Sequence, residues 1–86
     1  MPGQVGISIE ALHWVLWERR VPLTNEVRVD QAKLANELMV SRSRVTQVVG
    51  VLIEEGRLER IPGARSDYAV RDPAKWVSTP PAENSV

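Results

Sequence analysis

Hydrophobic and polar positions change period along this chain, and each change marks an element. Ile9, Leu12 and Leu16 fall on one stripe at helical spacing behind Ser8, whose hydroxyl suits an N-cap. That pattern predicts a first helix running to about Arg20. Pro22 disfavours helix at Val21 and closes it, and residues 23–26 read as a loop. Val27-Arg28-Val29 is short, β-branched and alternating, as a strand requires. Asp30 then caps a second helix with Leu34, Ala35 and Leu38 on its apolar side. Ser41 stands as the N-cap of a third, which carries Val45, Val48, Val49 and Leu52 on one face. Gly56 suits a left-handed helix end. Two extended runs follow, at residues 57–61 and 68–70, around a turn-rich centre with Pro62, Gly63, Ser66 and Asp67. This is the signature of a β-hairpin whose loop exceeds two residues. Residues 72–76 add a last helical turn.

Residues 30–56 are the most informative part of this pattern. They predict two crossed helices joined by a short turn, with Ala35 small where the helices approach. The outward side of the second helix is small, polar and partly basic. The run Leu34-Ala35, Leu38, Val40-Ser41-Arg42-Ser43, Val45, Leu52 and Glu54-Glu55-Gly56 resembles the helix-turn-helix of winged-helix bacterial transcription regulators, particularly the MarR and GntR types. With the hairpin that follows, the resemblance covers roughly half of the chain. It implies a mainly α fold with a small β-hairpin: a winged helix-turn-helix of three helices plus a two- to three-stranded wing. The resemblance extends to the DNA-binding half of those families only, because the long extra helices of the one and the effector domain of the other have no counterpart here. Met39 departs from the pattern, since such turns often carry Gly where the backbone goes left-handed. Either Met39 carries about 1–2 kcal/mol of strain or the turn has another shape.

At 86 residues the chain supports one domain. The expected division is a flexible leader at 1–7, the domain at 8–77, and a disordered tail at 78–86 containing Pro80-Pro81. A domain this small buries only about 60–65% of its unfolded surface and is marginal without help. It contains no cysteine, so disulfides and thiolate metal sites are excluded. No apolar run approaches the roughly 20 residues of a membrane span, and no signal-peptide pattern opens the chain, so a cytoplasmic protein without a membrane partner is expected.

Net charge is zero, unlike that of a strong non-specific DNA binder. The charges are unevenly placed, however. Arg42 and Arg44 open the third helix with no acid before Glu54, and Arg57, Arg60, Arg65 and Arg71 face only Glu59 and Asp67. The acids gather at Glu10, Glu18, Glu26, Asp30 and Glu37. The basic part therefore coincides with the part expected to meet duplex DNA.

Opposite the valine face of the third helix lie Ser43, Gln47 and Gly50, with Arg44 and Thr46 at the margins. Gln47 can pair with adenine, Arg44 with guanine, and the Thr46 methyl can meet the methyl of thymine. Gly50 keeps the helix surface low. Ser41, Arg42 and Ser43 stand near the positive helix N-terminus, where phosphate binds. In the hairpin, Arg65 lies near the tip, and Arg60 and Arg71 can flank it on the DNA backbone. The alternative is that these residues form a solvated helix face and an edge hairpin protected by charge.

Trp14 and Trp17 lie beside the Ile9/Leu12/Leu16 stripe, and with Val15 they make the first helix apolar around most of its circumference. Such a helix is buried on more than one side. A homodimer contact through Trp14, Val15 and Trp17 would do this; so would a core filled by Trp in a chain without Phe. His13 is the only histidine and has no partner suited to catalysis by spacing. Neither a zinc set nor a phosphate-cradling glycine loop is present, so no enzyme, metal or cofactor is expected. The expected activity is that of a sequence-specific transcriptional regulator on duplex DNA, with its recognition helix at about residues 42–55 and its wing at about 57–71. Two alternatives remain: a winged-helix module docking a protein through the helix-one tryptophans, and an architectural DNA binder of the excisionase kind.

Overall fold

The computed structural model describes residues 7–76. The expected flexible leader, apart from Ile7, and the expected disordered tail lie outside the described residues, as does Val77. Three helices and a three-stranded antiparallel sheet follow in the order α1 (Ile9–Glu18), β1 (Glu26–Arg28), α2 (Gln31–Leu38), α3 (Arg42–Glu54), β2 (Leu58–Arg60) and β3 (Asp67–Val70). A 3-10 turn at Pro73–Lys75 comes last.

Each helix starts on the side chain the sequence marks for it. Ser8 Oγ accepts from the Ala11 N–H at 3.0 Å, Asp30 Oδ1 from Lys33 at 3.1 Å, and Ser41 Oγ from Arg44 at 3.0 Å. Caps of this kind stabilise by about 1 kcal/mol each. α1 stops at Glu18 rather than near Arg20 because the chain is already turning towards β1. The Val21 N–H bonds the Glu26 carbonyl at 2.8 Å, and Asn25 takes φ 59° to make the return.

β3 is the central strand, with β1 on one side and β2 on the other. In register, Tyr68 faces Val27 on β1 and Arg60 on β2. Alternation buries Val27, Leu58, Tyr68 and Val70 and sends Glu26, Arg28 and Glu59 outwards. The first strand begins at Glu26 instead of Val27, and Val29 prolongs its pairing by donating to the Ser66 carbonyl at 2.8 Å. The β2–β3 loop turns through Ile61-Pro62-Gly63-Ala64, where the Ala64 N–H reaches the Ile61 carbonyl at 3.0 Å and Gly63 has φ 85°. Proline followed by a left-handed glycine is the requirement of a type II turn.

α3 is the centre of the packing, with α1, α2 and β2 all laid against it. Leu12 and Leu16, Leu34 and Ala35, and Leu58 with Val70 meet the α3 stripe Val45, Val48, Val49 and Leu52 in a single core. Ile7, counted with the leader in the sequence, packs against this core and belongs to the fold.

α2 and α3 end in the same way. At the end of α3, Gly56 has φ 78°, its N–H bonds the Ile53 carbonyl at 3.1 Å, and the Arg57 N–H bonds that of Leu52 at 2.8 Å. At the end of α2, Met39 has φ 58° and ψ 41°, and the Val40 N–H bonds the Ala35 carbonyl at 3.0 Å. Both are Schellman closures, one built on glycine and one on methionine. Of the two shapes open for this turn, it is the left-handed one that forms. The Met39 side chain is 88% exposed, so packing does little to offset its backbone. Met39→Gly should therefore raise unfolding free energy by about 1 kcal/mol in urea titration. Equal or lower stability in the variant would show that any strain here does not exceed the unfolded-state entropy that glycine adds.

Candidate nucleic-acid interface

The four sides of α3 are set by its helical pitch, about 100° per residue. Val45, Val48, Val49 and Leu52 are buried in the core. Towards α2, the Thr46 hydroxyl donates to Gln31 Oε1 at 2.6 Å. Towards the start of α1, Arg44 Nε donates to the Ile7 carbonyl at 3.1 Å, and its NH1 donates to Gln47 Oε1 at 3.0 Å. The remaining side carries Ser43, Gln47, Gly50 and, at its C-terminal end, Glu54, all exposed. Arg44, expected to read guanine, is half-buried and spends its guanidinium inside the protein. Thr46 is exposed, with its hydroxyl turned to α2.

Gly50 sits mid-helix, where glycine costs about 1 kcal/mol against alanine. A Cβ at this position would meet nothing within 4 Å. Internal packing therefore gives no reason for glycine there.

The first turn of α3 opens into a groove of about 490 Å³ between α2 and the β2–β3 hairpin, lined among others by Arg28, Asp30, Arg42, Arg65 and Tyr68. Arg42 and Arg65 are exposed and, among the described residues, form no ion pair. Arg28 is paired with Asp67 at 3.2 Å. The other two hairpin arginines differ from each other. Arg60 is exposed, without a carboxylate partner among the described residues, and its Cζ is 5.9 Å from the Tyr68 ring centroid. Arg71 is paired with Glu59 at 3.0 Å on the outer side of the sheet. Ser41 uses its oxygen as the α3 cap, which leaves its proton for an outside acceptor.

Two groups that the sequence left outside any site are buried next to each other. His13 is fully buried, its Nε2 is 2.8 Å from the Arg71 carbonyl, and its ring meets Trp76 edge-on at 5.4 Å. The Nε2–H is the donor, because a carbonyl can only accept. Arg57, read as part of the basic surface, is 7% exposed. Its Nε is 2.8 Å from Glu55 Oε1 in a close ion pair that is not aligned as a hydrogen bond, and its NH2 is 3.8 Å from Glu10. Its Cζ lies 5.3 Å from the Trp76 ring. The available signal was the residue's place in the chain: the position after a closing glycine folds back on the helix it ends.

The tryptophans of α1 are largely accommodated within the chain. Val15 and Trp17 pack against the core, and the Arg20 guanidinium lies 3.6 Å from the Trp17 ring centroid. Arg20 is itself held by Asn25 Oδ1 at 3.0 Å and the Trp17 carbonyl at 2.8 Å. Trp14 is half-buried, and its indole Nε1 is buried without a hydrogen-bond partner among the described residues. The burial for which a second copy was invoked is thus supplied in good part by the chain. Among the described residues, the large apolar side chains that remain exposed are Val21, Leu23 and Met39. Among the described residues no helix is long and apolar enough to cross a membrane, and no cluster of three or more His, Asp or Glu side chains is set to hold a metal ion.

No family model matches the chain, and neither a curated protein nor a solved structure is significantly similar to it.

Burial pushes the His13 imidazole below the usual histidine value of 6.5, and Arg57 adds to the effect; the Arg71 carbonyl, Asp72 and Glu10 pull the other way without reversing it. The unfolded chain therefore binds a proton more readily than the folded one. Stability should be full above pH 6.5 and fall as pH drops from 6.5 towards the depressed folded value. Unfolding midpoints above and below pH 6.5, in the wild type and in His13→Gln, measure this step, which the variant should flatten. A step of equal size in both proteins would assign it to other groups.

Proposed function

We propose that this chain is a winged helix-turn-helix protein that binds duplex DNA sequence-specifically and regulates transcription by occupying or organising a site. In this reading α3 enters the major groove, whose width of about 12 Å admits a helix. The β2–β3 hairpin is the wing, and it lies along the flanking backbone. Ser43 and Gln47 meet base edges, Gly50 lets the helix come close, and Ser41 with the first turn of α3 receives a phosphate at the positive end of the helix. Arg42 and Arg65 grip phosphates from either side of the groove, and Arg60 extends that grip along the hairpin.

The observation that carries the reading is the pairing of two surfaces. The one unpacked side of α3 is small and polar, and the groove at its start holds two arginines with no carboxylate partner among the described residues. Gly50 supports it independently, since its cost to the helix has no internal return.

Selection of bound fragments from a random duplex library at near-physiological salt is the direct test. A defined motif should be enriched, and its symmetry reads out whether copies bind as a two-fold homodimer, as direct repeats or singly. Arg42→Ala/Arg65→Ala should weaken binding to all sequences alike and reduce the salt slope by roughly 2, at about 0.9 per phosphate. Enrichment no better than background would favour the protein-docking alternative through the helix-one tryptophans, Trp14 and Trp17. Gly50→Ala separates folding from binding. It should raise stability by about 0.5–1 kcal/mol while lowering DNA affinity; unchanged affinity would remove Gly50 from the interface.

A further inference from the structure

The Arg44–Gln47 contact determines what Gln47 can offer to a partner. A guanidinium carries donors only, so the Gln47 amide must turn its oxygen, not its nitrogen, towards Arg44. The contact is 3.0 Å long, and Arg44 cannot readily swing away, because its Nε is also fixed on the Ile7 carbonyl at 3.1 Å. Arg44 is half-buried and Gln47 exposed, so the pair has an anchored inner member and an outward-facing outer one.

A free glutamine amide presents one acceptor beside one donor, which matches the N7 acceptor and N6 donor of adenine. With its oxygen held towards Arg44, the Gln47 amide is oriented to present its N–H donors instead. In the major groove adjacent acceptors belong to guanine, at N7 and O6. We propose that Arg44 is a positioning residue that fixes the Gln47 amide as a donor and thereby makes it select guanine over adenine. This inference rests on the DNA-binding reading and replaces the adenine contact expected for Gln47. It also removes Arg44 from the residues that touch a base. Its guanidinium is a fork that serves two acceptors at once, a geometry that lysine does not reproduce.

The test uses the full chain and the same random duplex library, with Gln47→Ala to identify the motif position that Gln47 controls. In the wild type that position should be guanine, preferred over adenine by roughly fivefold or more, the lower end of what a bidentate base contact discriminates. Adenine at that position in the wild type overturns the proposal, and this arm depends on no change at Arg44. Arg44→Met keeps an unbranched apolar stem of similar reach up to the guanidinium and removes its donors. It should shift that one position towards adenine and leave the rest of the motif as it was. An unchanged guanine preference, or a uniform loss across all positions, overturns the positioning role.

A DNA-free arm keeps failure of this inference apart from failure of the DNA-binding reading. In the 15N-labelled protein without DNA, the Gln47 side-chain amide resonances should move on Arg44→Met while the backbone spectrum stays that of the folded wild type. If they do not move, the contact is absent and the inference fails whatever the protein binds. If they move but the wild type enriches no motif, the contact stands and it is the DNA-binding reading, with the guanine assignment that depends on it, that is overturned.

Discussion

Everything in this domain depends on the burial of one stripe of α3. Val45, Val48, Val49 and Leu52 are each at most 3% exposed, and three other elements close over them. A helix of 13 residues, about 20 Å long, is thereby fixed in position and in rotation about its axis. Rotation matters because the helix repeat fixes the opposite side once the buried side is chosen. Ser43, Gln47 and Gly50 face outwards as a geometric consequence of four apolar positions. The flanks add to this: Thr46 is tied to Gln31 on one side and Arg44 to Ile7 on the other. A surface held this way meets a partner with little ordering left to do, and preorganisation of this kind favours affinity from a small interface.

The other end of α3 is held by different means. Arg57 follows the closing glycine and enters the space between α1 and the 3-10 turn, where Glu55, Glu10 and the Trp76 ring surround it. Buried charge is costly unless it is paired, so the two carboxylates are a condition of this arrangement. His13 joins the same region to the strand end through the Arg71 carbonyl. These contacts connect α1, the end of α3 and the chain after β3. They fix the orientation of the hairpin relative to α3, on which any joint use of the two would rely.

Much of the fold was legible in the sequence because its elements are set by local rules. Ser8, Asp30 and Ser41 cap the helices they announce, and Pro62-Gly63 makes the turn its residues demand. The buried stripes of α2 and α3 follow directly from periodicity. What was not legible depends on long-range pairing. No local pattern brings Glu10 to Arg57 or matches Arg71 with Glu59. Among the candidate site residues, Ser43, Gln47 and Gly50 lie on the outward side of α3 as helical pitch alone requires. Arg44 does not, because the Ile7 carbonyl that draws it inwards comes from another part of the chain.

The zero net charge takes on a different meaning once the pairs are known. Arg19, Arg28, Arg57 and Arg71 are matched by Glu37, Asp67, Glu55 with Glu10, and Glu59. These neutralised positions lie away from the outward side of α3, whereas Arg42, Arg60 and Arg65 keep their charge at the start of that helix and along the hairpin. Neutrality is therefore an average over ion-paired positions, this arginine patch, and acids such as Glu18, Glu26 and Asp72 that form no ion pair among the described residues. On the proposed reading, such a patch contacts few phosphates and gives weak binding to arbitrary DNA. A protein built this way has to draw most of its affinity for a particular site from base edges and shape. The few side chains that face outwards from α3, and the contacts that orient them, then carry more of the recognition than they would on a strongly basic domain.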